Sequence, residues 1–529
     1  MTEKLKFIGE KLDKLAGKML LILCICIFCI LTYYSAKYTM VDSIADVRDN
    51  PGLNLLILTV ITAVAVLLHS ILHSNRLLFV RQRLVTWKPY IIGIVSFYVY
   101  IISLIWVLNS HVAPGGDGSP LCNVAHRMIT GNFVDMNTAG YMTIFPHQFS
   151  LLSVIHLIFN LFGVWNYEVF QHLNALCMPL LFYSGYKFLQ LVCEKSEVII
   201  YYILFFLGCL PLFLYVPFVY GEIMSITFTM VLMWQILRYC RTGKKSCILW
   251  GTAAIVLACI VRKNSLIVLI AAGIVLVIHS IKKANLWGIL WLLVMSLAVS
   301  GSDQLIHTHY EKISGFKVAG GVPYISWVRM GMQDSWTGPG WFDNSSIDTF
   351  REYNYNTEQT ALVEKERLRE ILKDMWNDKS YSIDFFRRKI LSQWNSPGYL
   401  YLDETGQFDC EPQELPDFVR RIYYDDVPAV QTYMNRYHFI LYFYAAVSAI
   451  ILFADRKKKH ILAGHLLYIS IIGGFLFSAL WEASSRYILP YAVYMIPPAS
   501  LGMHQLTTIV TAKIKKLSSK RKPQIPYKS

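Results

Sequence analysis

Long apolar runs alternate with short polar segments along most of the 529-residue chain. The runs are about 20 residues long, which is the length that a helix needs to cross the hydrocarbon core of a bilayer. The pattern therefore predicts an all-α polytopic membrane protein with about 12 transmembrane helices. The predicted spans are residues 19–37, 53–73, 90–108, 172–192, 199–217, 223–239, 247–261, 266–281, 286–299, 439–453, 461–480 and 488–508.

Composition and charge agree with a membrane protein. The chain is 55% hydrophobic and only 16% charged, whereas about 25% of the residues of a soluble domain are charged. The net charge of +14 comes from basic residues in short loops and in the tail, as is typical of cytoplasmic loops, so it does not indicate nucleic-acid binding. We expect both termini in the cytoplasm and a bacterial inner membrane as the location. The basic residues that set this orientation include Arg76, Lys195, Arg241, Lys244, Lys245, Lys282, Lys283, 456–459 and the tail from Lys513 to Lys522.

The apolar run at 148–164 is ambiguous, because a span there would place the later basic loops outside. We therefore predict a helix that lies along the outer interface. The polar segment after residue 300 is about 130 residues long, which is too long for a plain connector. It contains leucines and isoleucines near helical period, so we predict a small α-rich domain on the outer face. The predicted division is 1–89 (a cytoplasmic segment and two additional helices), 90–303 (a transmembrane core with the outer loop 109–149), 304–436 (the outer domain), 437–508 (C-terminal helices) and 509–529 (a basic tail).

The outer loop 109–149 carries the first candidate chemistry. In APGGDGSP, two glycines precede Asp117 and one follows it, so the backbone can adopt a positive φ and bring the carboxylate close to a bound molecule. Asp135 is the rival carboxylate, and His147 in the sequence FPHQ is a further candidate for substrate binding. An ordinary solvated loop aspartate is the alternative for Asp117.

Charged residues also stand at the predicted outer ends of helices. Arg262 and Lys263 have no acidic partner nearby in sequence, and cations placed against the positive-inside pattern are candidates for function. An anionic headgroup such as a phosphate would stabilise them, although they are also suited to anchoring at the lipid interface. Glu222 in VYGEIMS stands at a helix N-terminus, where the helix dipole stabilises it; holding substrate hydroxyls or a metal is the other interpretation.

The segment WEASSRYILPY at the start of the last predicted span offers two interpretations. Glu482 and Arg486 are four residues apart, so they would pair on one helical face. In the other interpretation Arg486 and Tyr487 face the same headgroup as Arg262. In the outer segment, Trp327 and Arg329 would contact a sugar, or they would belong to the core of a small domain.

Metal and disulfide chemistry receive little support from the sequence. HExxH does not occur, and the one CxxC spacing, Cys26 to Cys29, lies inside the first predicted span. We expect no cofactor to be required, although Asp117 and Glu222 could share a divalent cation such as Mg²⁺ or Mn²⁺. Among the eleven cysteines, Cys122 and Cys410 fall in the large polar loops. They could pair if those loops face an oxidising compartment.

Several segments in order, APGGDGSP, NVAHRMITGNF, GYMTIFPHQF, YGE, RKNS and EASSRYILP, resemble the C-type glycosyltransferases. The chain is most similar to bacterial multi-pass members akin to the protein mannosyltransferase and aminoarabinose transferase group, from about residue 90 to about residue 501. The resemblance implies a polyprenyl-phosphate sugar donor, an acceptor on the outer face, and a catalytic aspartate that maps onto Asp117. Asp135 stays open, because Asp117 lacks the His or Tyr that often follows the family's acidic residue.

The resulting hypothesis is an inverting transfer of a sugar to a cell-envelope glycan, lipid or protein. Asp117 would be the general base, and Arg262, Lys263, Arg486 and Tyr487 would bind the donor phosphate. The substrate contacts would come from Glu222, His147, Trp327, Arg329 and Glu482. An upstream polyprenyl-phosphate glycosyltransferase and a flippase would supply the donor. A polymerase or ligase that uses a lipid-pyrophosphate oligosaccharide is the first alternative. A transporter, which would carry mid-membrane charges and broken helices, is the second.

Overall fold

The structure is a computed structural model that describes residues 2–41, 45–74, 78–455 and 462–520. Four features of the sequence analysis lie outside the described residues: Arg76, the basic cluster 456–459, and Arg521 and Lys522 of the tail. Helices make up most of the described chain. In its described part, the only strands are β1 (Tyr38–Val41) and β2 (Ala45–Arg48), which pair antiparallel.

Thirteen helices precede the long polar segment 315–426, which we call the outer segment after its predicted location. They are α1 (Thr2–Lys37), α2 (Pro51–Leu72), α3 (Leu78–Ser110), α4 (Gly118–Ile129), α5 (Tyr141–Ile144), α6 (Phe149–Phe162), α7 (Glu168–Val192), α8 (Val198–Gly208), α9 (Leu210–Leu214), α10 (Glu222–Thr242), α11 (Ser246–Val261), α12 (Leu266–Lys283) and α13 (Trp287–Ser314).

Nine helices follow in the outer segment and the C-terminal part. They are α14 (Tyr324–Gly331), α15 (Ser345–Glu352), α16 (Thr357–Asn377), α17 (Lys379–Trp394), α18 (Tyr401–Thr405), α19 (Asp417–Arg420), α20 (Val427–Ala454), α21 (Leu466–Leu480) and α22 (Leu489–Lys520). Short 3₁₀ turns occupy Val134–Met136, Pro146–Gln148, Lys263–Ser265, Leu462–His465 and Ser485–Ile488, and Arg421–Asp425 is a π-helical turn.

The predicted all-α polytopic fold is confirmed. Within the described ranges, nine helices are long and apolar enough to cross a membrane, or ten if one bent pair counts as a span. This is an integral membrane protein. Three of the twelve predicted spans, α8, α11 and α22, are not among the nine. The run predicted at 199–217 is broken at Cys209, where α8 ends and the five-residue α9 begins with Pro211 in its first turn.

The ambiguous run is a short helix after a sharp bend. Helix α6 has 14 residues, so it is about 21 Å long, whereas a hydrocarbon core is about 30 Å thick. The chain bends by 98° between Val134–Ile144 and Pro146–Phe162. The length of α6 therefore fits the predicted interfacial helix better than a separate membrane-spanning helix.

The first two helices belong to the bundle. Helix α1 packs against α20 and α12, and α2 packs against α22. Near the start of α1, the buried Asp13 carboxylate accepts hydrogen bonds from Lys282 Nζ at 2.6 Å and from the Leu462 amide at 3.0 Å. The basic beginning of α1, the end of α12 and the approach to α21 therefore lie together at one end of the bundle.

The outer segment is shorter and less separate than predicted. Helix α13 continues to Ser314 and α20 begins at Val427, so the predicted boundaries at 303/304 and 436/437 fall inside continuous helices. Residues 322–350 form a small core with Ile144 from before α6. Trp394, Tyr399 and Tyr401 instead belong to the main core of the bundle.

Residues at opposite ends of the bundle provide a test of orientation. Lys245 follows α10, and Asp348 lies in α15; both are exposed. We expect a membrane-impermeant maleimide to label Asp348→Cys in intact cells, and Lys245→Cys only after permeabilisation. Both variants are made in a background without the eleven native cysteines. Labelling of both positions in intact cells would contradict the predicted orientation.

Candidate active site

Arg486 lies at the centre of a buried ionic cluster. It belongs to the 3₁₀ turn Ser485–Ile488, directly before α22, and only 5% of it is exposed. Arg486 Nη2 is 2.7 Å from Asp117 Oδ2, and Nη1 is 2.8 Å from Glu404 Oε2. Arg486 Nε is 3.5 Å from Glu222 Oε1. We call Arg486, these three carboxylates and Arg262 the arginine cluster.

Arg262 and Glu222 form the second ion pair of the arginine cluster. Arg262 caps the end of α11 and its Nη1 contacts Oε1 of Glu222, which begins α10 and is fully buried. A Cβ atom on Gly221 would lie 2.1 Å from the Val261 carbonyl oxygen, so glycine permits this close approach of the two helix ends. Glu222 Oε2 accepts no hydrogen bond from the described residues. The sequence motifs YGE and RKNS are therefore joined by the ion pair between Glu222 and Arg262.

Aromatic rings surround both guanidinium groups. The Arg486 guanidinium carbon is 5.1 Å from the ring centre of Tyr220 and 5.7 Å from that of Tyr487. The Arg262 guanidinium carbon is 5.7 Å and 5.5 Å from the same two rings. Cations within about 6 Å of an aromatic ring centre are attracted by the ring quadrupole. Tyr487 thus lies beside both arginines, and its binding of the donor phosphate stays a prediction.

Lys263 is paired separately from its neighbour Arg262. Its Nζ contacts Asp303 Oδ1 and is 3.0 Å from Ser150 Oγ, which in turn donates to Asp303 at 2.9 Å. These contacts join the start of α12 to α13 and α6. The Lys263 and Asp303 side chains are 25% and 30% exposed. Each of the three predicted phosphate-binding cations therefore already has a carboxylate partner that is remote in sequence.

The Asp117 side chain is the most accessible carboxylate of the arginine cluster, with 45% exposed. Gly116 has a positive φ of 49°, as predicted, and a Cβ there would lie 2.2 Å from Glu404 Oε2. The surrounding protein disfavours the charged form of Asp117, but Arg486 and Arg262 outweigh this effect and lower its pKa. Burial instead raises the pKa of Glu404, despite Arg486. Asp117 is therefore an ionised and partly exposed carboxylate.

The loop that carries Arg486 is held by the outer segment. The Ala483 amide donates to the Gly340 carbonyl at 2.7 Å. Lys389 of α17 is fully buried, and its Nζ donates to the carbonyls of Trp481 at 2.7 Å, Ala479 at 3.0 Å and Gly331. Burial lowers the pKa of Lys389 to about 7. Lys389 thus positions the backbone that leads into Arg486.

The predicted helical pair of Glu482 and Arg486 is wrong. Glu482 lies in a non-helical link after α21, and the ion pairs of Arg486 are with Asp117, Glu222 and Glu404. Burial, together with the charge of Asp117, raises the pKa of Glu482 to about 8. Glu482 is therefore protonated at neutral pH.

Several other candidates lie apart from this arrangement or deeper in the protein. Asp135 receives two hydrogen bonds from Arg127, at 2.6 and 2.9 Å, and is 8% exposed. Trp327 is 6% exposed, and Arg329 is 3% exposed and paired with the buried Glu364. The predicted substrate contacts of Trp327 and Arg329 do not fit this burial. His147 lies near enough to Asp117 for the two groups to interact, but burial lowers the pKa of His147 to about 4.

The structure does not support a shared ion between Asp117 and Glu222. Arg486 bonds to the first carboxylate and lies 3.5 Å from the second, so a guanidinium takes the position that such a cation would need. Cys122 and Cys410, whose pairing the sequence leaves open, are both free cysteines. The residues that sequence reasoning missed are Glu404, Asp303 and Lys389.

Comparison with known proteins leaves the family of the chain open. No family model matches it, and no curated protein matches it. Among solved structures it is similar to the archaeal oligosaccharyltransferase AglB from Archaeoglobus fulgidus, in complex with an inhibitory peptide and a dolichol-phosphate. The TM-score is 0.39 and the identity 12%, over 83% of this chain and 53% of that chain. The chain thus spans about half the length of that protein.

The contact between Gly116 and Glu404 predicts a coupled pair of substitutions. Gly116→Ala should cost about 1–2 kcal/mol of backbone strain and displace the Glu404 carboxylate from Arg486. Gly131→Ala is the matched control, because Gly131 has a φ of 77° and an added Cβ there would meet no atom within 4 Å. Measured by unfolding in detergent, Gly116→Ala should be non-additive with Glu404→Gln. The contact would be contradicted if the effects of Gly116→Ala and Glu404→Gln on stability were additive and Gly116→Ala cost no more than Gly131→Ala.

Glu482 predicts a pH dependence of stability. An unfolded glutamate has a pKa of about 4.3, while Glu482 in the folded protein titrates at about 8. Between these values the folded state binds a proton that the unfolded state lacks, so the contribution of Glu482 to stability falls as pH rises through this window. Glu482→Gln should remove this dependence, seen as a flatter unfolding temperature from about pH 5 to about pH 8.5. Parallel curves for both proteins would refute the assignment.

Proposed function

We propose that the protein is a membrane glycosyltransferase that moves a sugar from a polyprenyl-phosphate donor to a cell-envelope glycan, lipid or protein on the outer face. The observation that carries the proposal is the accessible, ionised Asp117 carboxylate held 2.7 Å from the buried Arg486. A base beside buried cations suits displacement of an anionic leaving group from an anomeric carbon. The order of the sequence motifs supports the same interpretation.

Asp117 acts as the general base in this proposal. It takes the proton of the acceptor hydroxyl while that oxygen attacks the anomeric carbon. The bond from this carbon to the phosphate oxygen breaks, and polyprenyl phosphate leaves with the electron pair. Displacement in one step inverts the anomeric centre. No step requires a metal ion.

The donor phosphate binds by exchanging ionic partners. Three carboxylates of the arginine cluster face two guanidinium groups, so no cation there is in excess. Lys263 is the most exposed of the three candidate cations and makes the first contact. The raised pKa of Glu404 favours its protonation, which frees one side of Arg486 for the phosphate.

This exchange also tunes the base. With Arg486 bonded to it, Asp117 has a lowered pKa and is a weak proton acceptor. As the phosphate draws the guanidinium away, the pKa of Asp117 rises, because an opposite charge nearby favours the ionised form. Base strength therefore increases when the donor is bound. The donor comes from an upstream polyprenyl-phosphate glycosyltransferase and a flippase.

The first test is turnover of synthetic donors by the purified full-length protein. The panel contains polyprenyl-phosphate sugars and a lipid-pyrophosphate oligosaccharide, each with glycan, lipid and peptide acceptors. Asp117→Asn should retain donor binding and lose turnover by about 10²- to 10⁴-fold, which is the usual contribution of a general base. Donor consumption and glycosylated product are measured by mass spectrometry.

The controls separate the remaining alternatives. Asp135→Asn should retain turnover in protein that remains folded, because Asp135 is paired with Arg127. If turnover were lost with Asp135→Asn and retained with Asp117→Asn, Asp135 and not Asp117 would be the general base. Turnover of the pyrophosphate donor alone would favour a polymerase or ligase. Binding without consumption of any donor would contradict enzymatic transfer and favour a transporter.

A further inference from the structure

We propose that His111, Asp409 and Cys410 form a binding site for a transition-metal divalent cation, with Zn²⁺ as the best fit. Each residue offers one ligand atom, and the three atoms lie within 4.8 Å of one another. His111 Nδ1 and Asp409 Oδ1 are 3.4 Å apart. In the part of the chain that the structure describes, this is the one group of three His, Cys, Asp or Glu residues with such spacing. We call it the His–Asp–Cys site.

Two backbone segments hold the ligands of this site in place. Val112 and Phe408 form an antiparallel bridge. On either side of it, the Ala113 amide donates to the Gln407 carbonyl at 2.9 Å, and the Asp409 amide donates to the His111 carbonyl at 3.0 Å. The two segments are therefore joined without help from a metal. A site whose ligands are already ordered loses less conformational entropy on binding.

The donor atoms select the class of metal. An imidazole nitrogen, a carboxylate oxygen and a thiolate sulfur suit Zn²⁺ and its neighbours among the transition metals. Mg²⁺ and Ca²⁺ prefer sites composed of oxygen atoms. The His111 and Asp409 side chains are 46% and 41% exposed, so a cation can enter from solvent. Three protein ligands leave a fourth tetrahedral position for water or another ligand.

A neighbouring hydroxyl supports the carboxylate ligand. Tyr167 Oη donates to Asp409 Oδ2 at 3.3 Å, whereas Asp409 Oδ1 faces His111. One carboxylate oxygen is thus oriented by the tyrosine while the other faces the proposed metal. Outer hydrogen bonds of this kind orient metal ligands and affect metal affinity.

The site joins the two segments that carry Asp117 and Glu404 of the arginine cluster, namely the loop before α4, and α18 with the chain that follows it. His111 precedes Asp117 by six positions, and Asp409 follows Glu404 by five. A cation held by His111, Asp409 and Cys410 therefore links the segments that carry Asp117 and Glu404. It takes no ligand from the arginine cluster. The expected consequence is a metal-dependent increase in stability.

Cobalt spectroscopy of the purified full-length protein tests this site. After treatment with EDTA, titration with Co²⁺ alone should give one thiolate-to-cobalt charge-transfer band that saturates at one ion per chain. Zn²⁺ should displace Co²⁺ and abolish the band, while Mg²⁺ should not. Cys410→Ser should eliminate the band, and His111→Gln should abolish saturation at one ion per chain.

Cys122→Ser is the matched control. Cys122 is the other cysteine predicted in a large polar loop, it is free and buried, and it is not part of the site. This variant should keep the band and the Zn²⁺-dependent increase in unfolding temperature. An unchanged band in Cys410→Ser, or absence of a saturable band in wild-type protein, would overturn the proposal. Neither readout depends on glycosyl transfer, so the two proposals fail independently.

Discussion

The site depends on the ion pairs that the buried Arg486 guanidinium makes with three carboxylates. A charge in the protein interior is tolerated when ionic and hydrogen-bonding partners compensate it. Arg486 obtains them from the loop before α4, from the start of α10 and from α18. Removal of one partner from a buried ion pair typically costs about 3–5 kcal/mol. One side chain thus requires three distant parts of the chain to meet at one place.

The spanning helices could be predicted because their signal is local. An apolar run of sufficient length implies a helix wherever it occurs, and nine predicted spans have counterparts that are long and apolar enough. The signal fails where a helix breaks inside an apolar run or continues beyond it. Pro211 and the break at Cys209 shorten the run at 199–217. Helix α13 extends beyond its apolar part to Ser314. Hydropathy predicts the apolar part of a helix, but the hydrogen-bonded helix can continue into polar residues.

The candidate site was predictable in part, for a related reason. Asp117, Glu222, Arg262 and Arg486 stand out because each is a charge beside an apolar run. Glu404 does not stand out, since it lies among many acidic residues in LDETGQFDCEPQELPDF. Lys389 does not stand out either, because it is the last residue of the basic run RRK in α17. Arg329 illustrates the opposite error, because a buried arginine paired with Glu364 has the same sequence signature as one that binds a ligand.

The contacts of Lys389 have an evolutionary consequence. Its three acceptors are main-chain carbonyls, at Gly331, Ala479 and Trp481, and almost any residue supplies such a group. Mutations at Ala479 or Trp481 therefore preserve the acceptor, whereas loss of the lysine leaves three carbonyls without their donor. The constraint is one-sided. An outer segment grafted from another protein onto this bundle would therefore need to bring a hydrogen-bond donor to the same point.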